Sequence, residues 1–182
     1  MTEVTAGLTA KEERTLISLL GKIGQPWSQE LYLAICPHLC LTATETVFIK
    51  KIGGVLFVLL PDRNANDPNW AGLPHSPGSM LRGTDTKGKN IDGFADPISR
   101  ACREIGVDPK QVTIGFADFI TQQTARGPEL GMVFACTTSQ EPKKGAWYPI
   151  NCLPGSIILH HIAIIEIAKK QVEENPIRFF GI

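Results

Sequence analysis

The chain has 182 residues, 43% of them hydrophobic and 20% charged, and its 18 Lys and Arg residues balance 18 Asp and Glu residues. This composition is typical of one globular domain with a short extension, and the balanced charge argues against a nucleic acid polymer or an anionic membrane as partner. Five dispersed cysteines favour free thiols over a disulfide framework, and no apolar run approaches the ~20 residues that cross a bilayer. We therefore expect a cytoplasmic protein without a secretory leader.

Residues 1–42 predict two helices, which form an extension too short to be a separate domain. Thr9 and the glutamate three residues later make a capping-box pattern at the start of an apolar-periodic helix over residues 8–23. Ser28 is the expected N-cap of a second helix, which ends before the next proline. The main domain is then expected to span residues 43–182.

The main domain alternates between strand and helix patterns. Gly53-Gly54 between two apolar runs is a hairpin signature, and Asp96 followed by proline predicts the cap of a helix that Gly106 ends. Strands are expected at residues 44–50, 55–60, 79–82, 111–118, 130–137 and 146–149, and a last helix at about 156–172. This order predicts an α+β fold, an α-β-α sandwich in which helices flank a mixed sheet.

One segment of the main domain carries a motif. Pro77-Gly78 precedes a polar loop and a helix that ends in Gly106-Val107, and Trp70 lies in the lead-in to this loop. This segment resembles the catalytic box of the Nudix hydrolases, G-x5-E-x7-R-E-U-x-E-E-x-G-U with U aliphatic, and the likeness extends over about residues 43–172. The resemblance implies a Nudix-like mixed sheet and hydrolysis of a nucleoside diphosphate linked to another group. It also implies Mg²⁺ or Mn²⁺, held by glutamates that share one helix face.

The box departs from the family pattern in its acidic residues. The spacer between Asp85 and the helix is six residues longer than in the family. Ser79 replaces the first glycine, Asp85 the first glutamate, Ser99 the arginine, and Arg100 and Arg103 two helix glutamates, so that only Glu104 stays acidic on the helix. Two guanidiniums on this face oppose a metal ion, because unit charges ~4 Å apart interact by ~4 kcal/mol at an intermediate dielectric.

These departures predict a Nudix-fold protein that is inactive or weak as a hydrolase and that binds a phosphate-bearing metabolite or a protein partner. Arginine forks suit phosphate oxygens, so the predicted ligand-binding residues are Arg82, Arg100, Arg103 and Trp70. If hydrolysis takes place, Asp85 and Glu104 are the expected metal ligands and Glu104 the catalytic residue. The alternative is an active hydrolase with a non-standard metal site, in which Asp85, Asp92 or Asp96 joins Glu104.

Plainer interpretations stay open for each feature. The Pro-Gly loop before a helix could be coincidental, the two helix arginines could form a solvated face, and Trp70 could serve packing alone. His160-His161 are expected to be core or interface histidines, and Cys36 and Cys40 structural thiols, because their spacing is not that of a zinc site. The N-terminal helices could also form a surface for a partner or a homodimer.

Overall fold

The computed structural model describes residues 7–23, 27–82, 85 and 94–181, and its first two helices are those predicted. Helix α1 spans Ala10–Leu20 and begins with the expected capping box, in which the Thr9 side chain accepts from the backbone of Glu12 and the Glu12 carboxylate accepts from Thr9. Helix α2 spans Gln29–Ile35, and the Ser28 hydroxyl caps it by accepting from the Leu31 amide. The 3₁₀ turn Cys36–His38 leads from α2 into the sheet.

The apolar side chains of α1 do not pack against the described residues in the way their spacing suggested. No residue of α1 is buried. Four of its large apolar side chains stay between 45% and 62% exposed: Leu16, Ile17, Leu19 and Leu20. The amphipathic pattern therefore predicts the helix correctly, while the partner of its apolar face is not found among the described residues.

The six strands of the sheet are β1 (Leu41–Ile52), β2 (Val55–Leu60), β3 (Gly78–Met80), β4 (Val112–Thr124), β5 (Gly127–Thr138) and β6 (Ala146–Pro149). Their order is β4-β5-β1-β2-β6, and β3 pairs with β1 beside this path. The β1–β5 pairing is parallel, and the other pairings are antiparallel, so the sheet is mixed as predicted. Glu45 of β1 thereby lies between Gly78 of β3 and Val133 of β5.

Two helices cover opposite faces of this sheet. Helix α3 (Ala95–Ile105) packs in a core that includes Phe48, and helix α4 (His160–Glu174) packs in a second core that includes Val47. Successive side chains of a strand point to opposite faces, so these two neighbours on β1 belong to different cores. A short helix, α5 (Pro176–Phe180), follows α4. The architecture is the expected α-β-α sandwich.

Two helix starts differ from the prediction. Helix α3 begins at Ala95 after Phe94, without a side-chain cap, so Asp96 is not the N-cap but lies in the first turn, where its charge still favours the helix dipole. Its end is as predicted, because Gly106 adopts the left-handed conformation at φ 74°. Helix α4 begins at His160 rather than near residue 156, because the preceding residues form turns.

Most of the predicted polar loop at residues 83–93, including Asp92, lies outside the described residues. Within the ranges that are described, no helix has the length and apolarity needed to span a bilayer.

Candidate ligand-binding site

The site begins where β3 lies against β1. A Cβ atom at Gly78 would lie 2.7 Å from Oε2 of Glu45 and 3.2 Å from the carbonyl oxygen of Thr44. Only glycine fits here without displacing the Glu45 carboxyl group, which explains why a glycine follows Pro77. The strand pairing therefore brings a buried acidic side chain against the start of the box loop.

Asp85 and Arg100 form a two-pronged ion pair that joins the box loop to α3. The Arg100 Nη1 and Nη2 atoms donate to the two Asp85 oxygens at 2.7 and 2.8 Å. Arg100 also donates from Nε to Ser79 Oγ and from Nη2 to the Met80 carbonyl, both at 2.9 Å. The guanidinium holds the pKa of Asp85 below its ordinary value, and Asp85 raises the pKa of Arg100. Both groups therefore stay charged and bound to each other.

A second cluster of charged groups lies beneath the loop on the side of β5. Arg126 donates from Nε to Oε1 of Glu129 at 2.8 Å and forms an ion pair with it through Nη2, also at 2.8 Å, and the Thr124 hydroxyl donates to the same oxygen. The Arg126 guanidinium also lies over the ring of Trp70, at 4.8 Å from its centroid. The aromatic ring and the carboxylate together fix the position of this arginine.

Glu45 is an acidic side chain that is removed from solvent. It is buried, and burial raises its pKa to about 8, with the charge of Glu129 acting in the same direction. The guanidiniums of Arg63 and Arg126 oppose this shift without cancelling it. Glu45 is therefore mostly protonated at neutral pH, and its carboxyl group can donate a hydrogen bond.

Two buried histidines, His75 and His161, border the site on the side of α4. His161 lies 2.6 Å through Nδ1 from Ser76 Oγ, and burial lowers its pKa well below the ordinary value, helped by the nearby His160 and His75. His75 donates from Nδ1 to the Ser76 carbonyl at 2.6 Å. His161 is thus a neutral, hydrogen-bonded core histidine, as its place in the apolar helix pattern suggested.

Two connected cavities lie among these groups. The smaller has a volume of about 60 Å³, and its lining includes Glu45, Arg63, Ser79 and Arg126. The larger is an open groove of about 950 Å³ between α2 and the loops that follow β2 and β3. Arg126 and Met80 line both, so the two cavities adjoin each other.

Polar atoms without partners concentrate at the same place. Among the described residues, four buried side-chain atoms have no hydrogen-bond partner, namely Tyr32 Oη, Glu45 Oε2, Arg63 Nε and His75 Nε2. Tyr32 lines the groove, and Glu45 and Arg63 line the small cavity. A buried donor or acceptor left unpaired costs about 1 to 3 kcal/mol, so a bonding partner in either cavity would lower the free energy, whereas His75 lines neither of them.

Comparison with known structures identifies the fold. The NUDIX domain of Shewanella oneidensis NrtR, solved with ADP ribose, is similar over 80% of this chain and 99% of its own, at 18% identity and a TM-score of 0.53. A NUDIX hydrolase from Alicyclobacillus acidocaldarius matches over 75% and 96%, at 12% identity and a TM-score of 0.57. A Caenorhabditis elegans Ap4A hydrolase matches over 74% and 98%, at 11% identity and a TM-score of 0.56. The chain has the Nudix fold. Sequence comparison matches no family model and no curated protein.

The described part of the segment that resembles a Nudix box does not offer the donor set of a Mg²⁺ or Mn²⁺ site. No three Asp, Glu, His or Cys side chains converge there in a way that could hold a metal ion. Both oxygens of Asp85 already accept from Arg100, and Glu104 faces His75 Nε2 at 3.5 Å. Magnesium prefers several oxygen ligands in an octahedral arrangement, so these residues do not fit it.

The predicted ligand-binding residues occupy different places around this Nudix box. Arg82 lines the groove, and Trp70 lies under Arg126 and 5.2 Å from the His160 ring. Arg100 is bound to Asp85, whereas Arg103 is exposed on α3 and lines neither cavity. The roles of these residues stay predictions.

The central residues of the site were not singled out from the sequence. Glu45 had a usable signal, since glutamate is depleted in strands and this one lies within the predicted strand 44–50. Arg63 and Arg126 belong to no motif, so their positions in the sequence do not predict that their side chains lie at one site. Glu129 lies near the start of β5, and its partner is Arg126, three residues earlier in the chain.

Proposed function

We propose that this Nudix-fold chain binds a phosphate-bearing metabolite in the groove between α2 and the box loops and hydrolyses it weakly or not at all. The observation that carries the proposal is the Arg100–Asp85 ion pair. The pair places the Arg100 guanidinium where a Nudix box has metal-binding carboxylates. It also engages both oxygens of Asp85, the acidic residue in the described part of the loop.

The lining of the groove supports a ligand of this class. Trp27 and Tyr32 offer aromatic rings for a base or another flat group, and Arg82 and Arg126 offer cations for phosphate. The volume of about 950 Å³ lies at the upper end of ordinary small-molecule sites, about 300 to 1,000 Å³. The ADP ribose bound by the structurally similar NrtR domain is a suitable first probe.

Calorimetric titration of the purified chain with ADP-ribose and with ADP tests binding. We expect saturable binding of at least one of these probes, weakened about five- to tenfold in Arg82→Met, because one charge-assisted contact is worth about 1 to 1.5 kcal/mol at a partly exposed site. The exposed Arg14→Met on α1 is the matched control and should bind as the wild type does. If Arg103→Met weakens binding and Arg82→Met does not, the ligand lies on the face of α3 and the groove is the wrong site.

Incubation of the same probes with Mg²⁺ or Mn²⁺ tests the catalytic part of the proposal. We expect no release of phosphate or nucleoside monophosphate above the background of a heat-inactivated sample. The competing hypothesis, an active hydrolase with a non-standard metal site, is favoured by the partly exposed Glu104 beside His75. Robust turnover that disappears in Glu104→Gln would establish that hypothesis and overturn ours.

A protein partner or a homodimer is the second candidate, and the exposed apolar side chains of α1 favour it. Light scattering on the wild type and on Ile17→Glu measures the oligomeric state directly. A wild-type dimer that the substitution dissociates would support a copy-to-copy interface at α1. A monomeric wild type would remove the homodimer.

A further inference from the structure

Two unpartnered buried atoms line one small cavity. Oε2 of Glu45 and Nε of Arg63 have no hydrogen-bond partner, and both side chains line the cavity of about 60 Å³ that adjoins the groove. The atom nearest to Arg63 Nε with opposite charge, Asp67 Oδ2, is 3.9 Å away, beyond hydrogen-bond distance. The two atoms require an occupant that can bond to both.

The charges around the cavity decide what kind of occupant fits. Arg63 and Arg126 both carry a positive charge, whereas the carboxylate of Glu129 is already bound by Arg126 and Thr124. His161 is neutral, and Glu45 keeps its proton at neutral pH, because its pKa is about 8. The charges of Arg126 and Glu129 offset each other, so the Arg63 guanidinium, whose nearest carboxylate is 3.9 Å away, is the charge left for an occupant, and it favours an anion over a cation.

Three side chains of the cavity offer hydrogen-bond donors to an anion. Arg63 Nε–H is free, and the protonated Glu45 offers one O–H. Ser79 Oγ accepts from Arg100, which leaves its own O–H free to donate. The volume exceeds the ~15 Å³ that a single water requires, and it is far below that of a nucleoside. A single oxyanion group, and no larger part of a ligand, fits these limits.

We propose that this cavity is an oxyanion subsite that takes one phosphate group on Arg63, the Glu45 carboxyl group and Ser79. The phosphate is either the end of a ligand whose body lies in the groove or free inorganic phosphate, since Arg126 and Met80 line both spaces. In its first form the inference rests on the proposed function, because the groove must then hold the rest of the ligand. In its second form the subsite stands alone.

Calorimetry with inorganic phosphate, ADP and adenosine, at constant ionic strength, tests the subsite. We expect phosphate and ADP to bind and to compete, and Arg63→Met to weaken both by at least tenfold while leaving adenosine unaffected. Glu45→Gln is the conservative variant, because its amide also donates into the cavity, and it should stay within about threefold of the wild type. Arg14→Met is again the charge-matched control.

The outcomes separate the subsite from the proposed function. Phosphate binding that depends on Arg63, together with no binding of ADP or adenosine, would support the subsite and overturn the groove. Binding of ADP and adenosine with equal affinity, insensitive to Arg63→Met, would support the groove and overturn the subsite. Should Arg63→Met not fold, Arg63→Lys keeps the charge and removes Nε–H, and phosphate affinity unchanged in that folded variant overturns the proposal.

Discussion

Replacing Glu45 by glutamine should stabilise the protein, and the gain should grow with pH. The unfolded chain releases this proton near pH 4.5, whereas the folded chain keeps it up to about pH 8. Between these values the folded state holds one more proton than the unfolded state, so the free energy of unfolding falls as the pH rises. Glutamine has a similar shape and no proton to lose, and it removes this dependence.

The size of the effect follows from the width of that pH window. Each pKa unit corresponds to about 1.4 kcal/mol, so keeping Glu45 protonated costs about 3 kcal/mol at pH 7 and no more than about 5 kcal/mol above pH 8. Near pH 5 the cost is below about 1 kcal/mol. In a chain of this length 1 kcal/mol moves the melting temperature by about 2 to 4 °C. We therefore expect Glu45→Gln to melt about 6 to 12 °C higher at pH 7.

Thermal unfolding followed by circular dichroism in a series of buffers from pH 5 to pH 9 measures this difference. Glu173→Gln, at an exposed position of α4, is the matched control and should track the wild type at every pH. A difference between Glu45→Gln and the wild type that stays constant across the series would refute the reasoning, because the protonation of Glu45 would then not be linked to folding.

Three further predictions concern the box. Arg100→Met should lower the free energy of unfolding by about 2 to 4 kcal/mol in urea denaturation, because it leaves the buried Asp85 without its counter-charge. An unchanged urea midpoint would show that the pair does not stabilise the fold. Excess Mg²⁺ or EDTA should move the melting temperature by less than about 1 °C, since a metal bound to the folded state would raise it. Gly106→Ala should cost about 1 to 2 kcal/mol or more, because φ is 74° and the new Cβ would lie 2.8 Å from Lys143 Cβ. Gly155→Ala, where a Cβ meets nothing within 4 Å, is its control.

The sequence predicted the fold well because its signals were local. Thr9 and Ser28 cap helices through backbone amides three residues away, and Gly53-Gly54 form a turn. These features can therefore be recognised without contacts between residues that are distant in the sequence. The box helix was also predicted, and Gly106 ends it as expected. Its start was placed two positions late, because Asp96 in the first turn and Asp96 as a cap give the same local pattern.

The site was harder to predict because its contacts are distant in the sequence. Arg100 and Asp85 were expected to face a phosphate and a metal ion, and their mutual ion pair becomes visible only when the loop lies against α3. Glu45 lies on β1 and Arg63 in the loop after β2, so no short window of residues contains both side chains of the cavity. Charge patterns on one helix therefore suggested that the box had changed, but they could not show what replaced it.

The Arg100–Asp85 pair also determines how such a box could change in evolution. If glutamate alone replaced Arg100, Asp85 would face a second carboxylate and would keep the hydrogen bond from the Arg82 amide. Two carboxylates so close together repel each other unless a cation lies between them. The first step back toward a metal-binding box would thus weaken folding before it restored any ligand set. The ion pair thus links a charge on the helix to the stability of the loop, so the two side chains can be replaced together more easily than one at a time.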